Sequence, residues 1–215
     1  GEGSGVGAGF DADKLTLVAG ASVTMTAAQN NSFDSTVTAT GSETITLSDA
    51  NNATGISAVE NYQLAAGTQT FTLGADGQNV TADSTGASGT VTIDTSTLTN
   101  VTGTFDDNGG NDSIALTLTT DTVDISLADT TDVNTIALAN NVGATMTRAQ
   151  NGLITSAAGT NAVTLSDAGA ATGNAAVESY VLAAGTQTFT LGADGQNVTA
   201  DSTGATGTVT IDTST

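Results

Sequence analysis

Along much of the chain, apolar residues alternate one for one with threonine, serine or aspartate. Glu43-Thr-Ile-Thr-Leu47, Gln69-Thr-Phe-Thr-Leu73, Gly89-Thr-Val-Thr-Ile93, Ser113-Ile-Ala-Leu-Thr-Leu118 and Thr122-Val-Asp-Ile-Ser-Leu127 show this period of two. Successive side chains of a strand point to opposite faces, so the pattern predicts strands with one buried face. Between the runs stand Gly74-Ala-Asp-Gly77, Asp83-Ser-Thr-Gly86 and Asp106-Asp-Asn-Gly-Gly110. Glycine, asparagine and aspartate supply the positive-φ and side-chain-bonded positions that tight turns require. Helical character is confined to single turns near Ala27–Asn30 and Ala149–Asn151.

Self-similarity over a longer range decides the architecture. Leu64–Thr97 recurs as Leu182–Thr215, an offset of 118, with one change, Ser88 becoming Thr206. Thr46–Tyr62 pairs with Thr164–Tyr180 at the same offset. Met25-Thr26 and Ala28-Gln29-Asn30 pair with Met146-Thr147 and Ala149-Gln150-Asn151 at an offset of 121. The chain therefore reads as a glycine-rich lead-in (1–14), a first unit (15–132) and a partial second unit (133–215). Because the second unit stops at a strand-like segment, the array is expected to continue, or to be completed by the next molecule.

Short strands, small side chains and tight turns fit an all-β parallel solenoid, in which each coil stacks on the next. Two strands and two turns would use about 20 to 25 residues per coil, or roughly five coils per unit. The competing architecture is a tandem of antiparallel β-sandwiches. Sandwiches usually carry bulky aromatic cores and some proline; here aromatics are 3% and proline is absent, which favours the solenoid.

Composition narrows the function. The 215 residues include 44 threonines and 26 glycines but no histidine or cysteine. Two bases, Lys14 and Arg148, stand against 22 acids, for a net charge of −20. The regular placement of Val, Ile and Leu predicts a folded chain in spite of that charge. Such a polyanion is repelled by nucleic acids and anionic membranes, and no apolar run approaches the roughly 18 residues that span a bilayer. Its self-repulsion makes divalent cations natural stabilisers. With one lysine, one arginine and no histidine or cysteine, nucleophile–base pairs have almost nothing to draw on, so an enzyme is not expected.

Two segments carry a family resemblance. Ile56-Ser-Ala-Val-Glu-Asn-Tyr-Gln-Leu64 resembles segments of giant repetitive bacterial surface proteins of the RTX-adhesin and S-layer kind. Asp106–Ile114 resembles part of the RTX calcium repeat, with Gly109, Gly110, Asp112 and Ile114 at its glycine, aspartate and apolar positions. The third glycine and its spacer are missing, and the motif occurs once rather than in consecutive copies. The resemblance implies secretion to the cell surface, calcium dependence and a structural role.

The residues themselves also point to calcium, which takes six to eight oxygens from carboxylates, amides and carbonyls on flexible turns. Asp106, Asp107, Asn108, Asn111 and Asp112 concentrate such oxygens in one turn. A second run, Asp121, Asp124, Asp129 and Asp132, is placed to face the first across a coil. The plainer alternative is that all are solvated turn carboxylates. Asp76 and Asp83, with their copies Asp194 and Asp201, read as turn caps.

The function expected from this is a self-associating building block of an extracellular filament, sheath or surface layer. Its partners would be copies of itself and, secondarily, cell-surface polysaccharide. One alternative is the stalk of a giant calcium-dependent adhesin. Another, suggested by Thr-x-Thr segments such as Thr90-Val-Thr92, is an ice-binding solenoid.

Overall fold

A computed structural model of the chain describes residues 14–33, 37–110, 112–201 and 206–213. The first unit opens with β1 (Leu15–Thr16), β2 (Ser22–Met25) and helix α1 (Ala27–Ser32). It continues with β3 (Val37–Thr38), β4 (Thr44–Leu47), β5 (Ala53–Thr54), β6 (Asn61–Gln63), β7 (Gln69–Thr72), β8 (Asn79–Thr81) and β9 (Thr90–Asp94). The rest of that unit holds β10 (Phe105–Asp106), β11 (Ser113–Leu118) and β12 (Val123–Asp124). The second unit begins with β13 (Val133–Leu138), β14 (Gly143–Met146), α2 (Arg148–Asn151), β15 (Ile154–Ala157) and β16 (Ala162–Leu165). It ends with β17 (Ala170–Thr172), β18 (Ser179–Leu182), β19 (Gln187–Thr190), β20 (Asn197–Ala200) and β21 (Val209–Asp212).

The strands stack as a parallel β-solenoid of about 10 turns. Strands alternate between sheets along the chain: β2-β4-β6-β8-β10 form one and β5-β7-β9-β11-β13-β15 another. From β12, near the end of the first unit, onwards β12-β14-β16-β18-β20 and β17-β19-β21 take over, and β1 pairs with β3. Every pairing described is parallel, which rules out the antiparallel sandwiches. All five alternating runs read from the sequence contain strands, and both single helical turns are present.

Coil length varies more than expected. The register places Asn61 on Thr44, 17 residues on (44 to 61), and Phe105 on Val80, 25 residues on (80 to 105). The sheets are also not continuous. Asn100 bridges to Asp124 at the start of one sheet, whereas Thr104, in the same coil, bridges to Asp129 at the end of another. The stack thus changes sheets inside the first unit, while β9, β11, β13 and β15 run unbroken across the sequence boundary at residues 132 and 133.

The core is a set of apolar ladders along the axis. Ile45, Tyr62, Val80 and Phe105 succeed one another on one side, and Phe71, Ile93, Leu116 and Ile136 on the other. All eight are at most 1% exposed. Tyr62 and Phe71 meet across the interior with ring centroids 4.6 Å apart, as do Tyr180 and Phe189 at 4.8 Å. Most strands give alternate apolar residues to this interior and leave their threonines on the partly exposed outer face, which keeps a thin core of aliphatic and a few aromatic side chains dry. At the corners the coils approach so closely that a Cβ on Gly103 would overlap the Gln78 carbonyl.

Candidate functional site

Buried polar side chains fix one coil on the next. Gln78 Nε2 donates to the carbonyls of Ile56 (2.9 Å) and Val59 (2.8 Å) in the preceding coil. Its Oε1 accepts from the N–H of Gly74 (2.7 Å) and Ala75 (3.3 Å) in its own turn. Gln150 grips Ile125 and Ala128 in the same way. The Tyr62 hydroxyl accepts from Ile56 N–H (2.7 Å) and donates to Asn30 Oδ1 (3.3 Å), whose amide in turn donates to the Thr54 carbonyl. Burial pushes the Tyr62 phenol well above its ordinary range and that of its copy Tyr180 up to about 12, so both stay neutral donors. Thr26 and Thr147 close capping boxes on α1 and α2, and Asp49 and Asp167 accept the first helical N–H groups.

One acid differs between the units. Glu43 is fully buried and accepts hydrogen bonds from the N–H groups of Thr40 (2.9 Å) and Gly41 (3.1 Å). Burial alone would raise its pKa. The bonds from the Thr40 backbone, the neighbouring Glu60 carboxyl and the Gly41 backbone outweigh that and hold it below 4.5, its ordinary value. In the second unit Asn161 takes the position, equally buried, and its Oδ1 accepts from Val142 N–H (2.8 Å). A lowered carboxylate pKa stabilises the fold above the unfolded value and loses that contribution as pH falls through the folded one. Glu43→Gln is therefore expected to lower the melting temperature most at neutral pH and progressively less below about pH 4.5. A deficit that stays constant from pH 7 to pH 3 would count against this assignment.

The acidic residues singled out in the sequence divide in space. Carboxylate oxygens of Asp106, Asp107 and Asp132 lie within 4.8 Å of one another, all half-buried. The first run and the last member of the second thus face each other across a coil. Asp106 Oδ1 accepts from Asn108 N–H (2.6 Å) and Asp107 Oδ1 from Gly109 N–H (2.8 Å), with Asn108 at φ 56° and Gly109 at φ 63° holding the turn. Desolvation, then the charges of Asp107, Asp106 and Asp129, raise the pKa of Asp132. Two oxygen donors on one turn and a third from the next coil, the last destabilised by burial and like charge, form a donor set of the kind a hard divalent cation takes.

The remaining members sit elsewhere. Asp112 is buried and turned to Gly89 N–H (2.6 Å), and among the described residues its second oxygen has no hydrogen bond. Asp121 accepts from Gly143 N–H (2.7 Å) and Asp124 from Ser126 N–H (2.9 Å). Asp129 accepts from the Thr131 hydroxyl and N–H, which lower its pKa. Asn111 lies outside the described residues. Asp83 caps its own turn through Thr85 N–H (2.7 Å) as expected. Asp76 instead reaches into the next coil, accepting from Thr102 N–H (2.8 Å) and Asn100 Nδ2 (2.7 Å).

The outward threonine rows are short. Thr24 and Thr46 are followed by Gln63, Thr70 and Thr92 by Ala115, and Thr145 and Thr164 by Val181. Among the described residues, no helix is long and apolar enough to cross a membrane. Comparison of the chain with protein-family models, curated proteins and solved structures found no match.

Proposed function

We propose that this chain is a non-enzymatic structural element of a secreted bacterial surface protein, a rod segment that associates with copies of itself in a filament, sheath or layer. The observation that carries the reading is repetition along the axis. Coils stack in one direction, a block of several coils recurs in near-identical sequence 118 residues on, and many of the polar side chains described above join coil to coil. A heterologous, head-to-tail contact between such rods does not close on itself and so grows linearly. Cell-surface polysaccharide is a secondary partner in this reading. Electron microscopy of the concentrated chain with calcium is expected to show filaments or layers. Monomers throughout would sink the assembling form and leave the stalk of a giant adhesin as the reading.

Calcium belongs to the same proposal, bound by Asp106, Asp107 and Asp132. Above the raised pKa of Asp132 the folded state carries a repulsion that a cation relieves. Millimolar calcium is expected to raise the melting temperature of the wild-type chain and to leave that of Asp132→Asn unchanged. The variant without calcium should melt above the calcium-free wild type. A wild-type melting temperature indifferent to calcium and EDTA, followed by circular dichroism, would remove calcium from the account.

A further inference from the structure

Two asparagines of the chain, Asn108 and Asn151, stand directly before a glycine. A glycine in that place leaves its main-chain nitrogen unshielded, so the nitrogen can attack the asparagine side-chain carbonyl carbon, close a five-membered imide and expel ammonia. The fold separates the two pairs sharply.

Asn151 is 4% exposed, and its carboxamide is held at both ends. Nδ2 donates to the Thr172 carbonyl (2.9 Å), and Oδ1 accepts from the Tyr180 hydroxyl (3.1 Å). The Gly152 N–H, which would have to attack, is tied to the Arg148 carbonyl (3.1 Å) at the end of α2. Ring closure there would undo the helix end and both side-chain bonds. Asn108 has no such restraint. It and Gly109 are exposed in turn 106–110, and among the described residues the Asn108 carboxamide makes no hydrogen bond. A Cβ on Gly109 would meet nothing within 4 Å beyond its chain neighbours, so nothing crowds the attacking nitrogen. Its N–H donates to Asp107 Oδ1 (2.8 Å), a carboxylate that draws on the proton and makes the nitrogen more nucleophilic.

We infer that Asn108 is a site of spontaneous covalent modification, converting to aspartate and isoaspartate as the protein ages. Gly109 N bonds to Asn108 Cγ, the Cγ–Nδ2 bond breaks, and the Gly109 N–H proton departs with the amide nitrogen as ammonia. Water then opens the imide. Cleavage at Cγ gives aspartate on an unchanged backbone, and cleavage at the main-chain carbonyl carbon gives isoaspartate, one methylene longer along the chain. Either product adds a carboxylate to the turn whose Asp106 and Asp107 oxygens already lie within 4.8 Å of Asp132. The acidic corner therefore gains charge with time, which means more repulsion without a cation and one more oxygen donor with one. Only this consequence rests on the calcium reading.

The test holds the full chain in EDTA at neutral pH and physiological temperature for weeks, then digests samples for peptide mass spectrometry. Asn108 is expected to convert on the order of 10-fold or more faster than Asn151, which must first give up two buried hydrogen bonds. Gly109→Ala, whose methyl crowds the nitrogen, should slow the conversion. Should that variant distort the turn, Asn108→Gln serves instead. Its longer side chain would need a six-membered ring, and isoelectric focusing should show the acidic form of the aged chain disappear. An amide intact at position 108, equal rates at Asn108 and Asn151, or an acidic form that persists in Asn108→Gln would each overturn the inference. If Asn108 converts while neither the fresh chain nor Asn108→Asp responds to calcium, the modification stands and the calcium reading falls. If calcium raises the melting temperature while Asn108 stays an amide, the reverse holds.

Discussion

Phe71→Ala is expected to destabilise the chain by about 3–5 kcal/mol, the usual cost of emptying a fully buried aromatic site. Phe71 is 0% exposed, stands on Ala53, carries Ile93, and meets Tyr62 across the interior. In a stack this thin the ring touches the coil below, the coil above and the opposite wall at once. The cavity left by alanine therefore has little to collapse into it. The same change at Phe189 is the internal control. Its surroundings are alike, but the Ile211 above it is 41% exposed, so water can reach the vacated space and the loss should be smaller. Urea denaturation of both variants checks this. Equal losses would mean that position along the axis does not matter.

The second large effect is polar. Gln78→Leu keeps the approximate volume but strands the carbonyl of Val59 and the N–H groups of Gly74 and Ala75, and takes one of two bonds from the Ile56 carbonyl, which keeps the Val59 N–H. Each buried group left without a partner costs about 1–3 kcal/mol, so a loss on the order of 4 kcal/mol is expected. Gln196 makes the same four bonds, to Gly192, Ala193, Asn174 and Val177, but is only half-buried. Water can replace part of what Gln196→Leu removes, so that variant should lose less. Gln78→Glu separates shape from bonding. It keeps the acceptor toward Gly74 but, when ionised, places charge against two carbonyls, and is expected to be no better tolerated than leucine.

The strands were legible because their signal is local. Thr90-Val-Thr-Ile-Asp94 alternates whatever lies above or below it, and the two capping boxes sit within four residues of sequence, as in Thr26–Gln29. What joins the coils was not legible, because it depends on a register that coils of 17 to 25 residues do not reveal. Gln78, Gln150 and Asn30 are ordinary polar residues until the coil beneath places carbonyls opposite them. Their recurrence in both units, as Gln78 with Gln196 and Asn30 with Asn151, was the available signal. Asp76 read as a turn cap for the same reason, since its partners Asn100 and Thr102 lie a full coil away. At the acidic site, proximity in sequence grouped Asp112 with Asp106 and Asp107. The strand that starts at Ser113 turns its carboxylate to Gly89 instead, and the coil above supplies Asp132. The change of sheets at Asn100 and Thr104 has no counterpart in the local pattern at all.

Site-resolved hydrogen exchange on the 215-residue chain compares two strands of one sequence in two settings. Thr90–Asp94 is sheathed by β7 and β11, whereas among the described residues Thr208–Asp212 has only β19 beside it. If cohesion accumulates from coil to coil, the amides of Val91 and Ile93 should exchange orders of magnitude more slowly than those of Val209 and Ile211. Matching rates in the two strands, each rising and falling with its own unit, would show two self-contained bodies and contradict the stack.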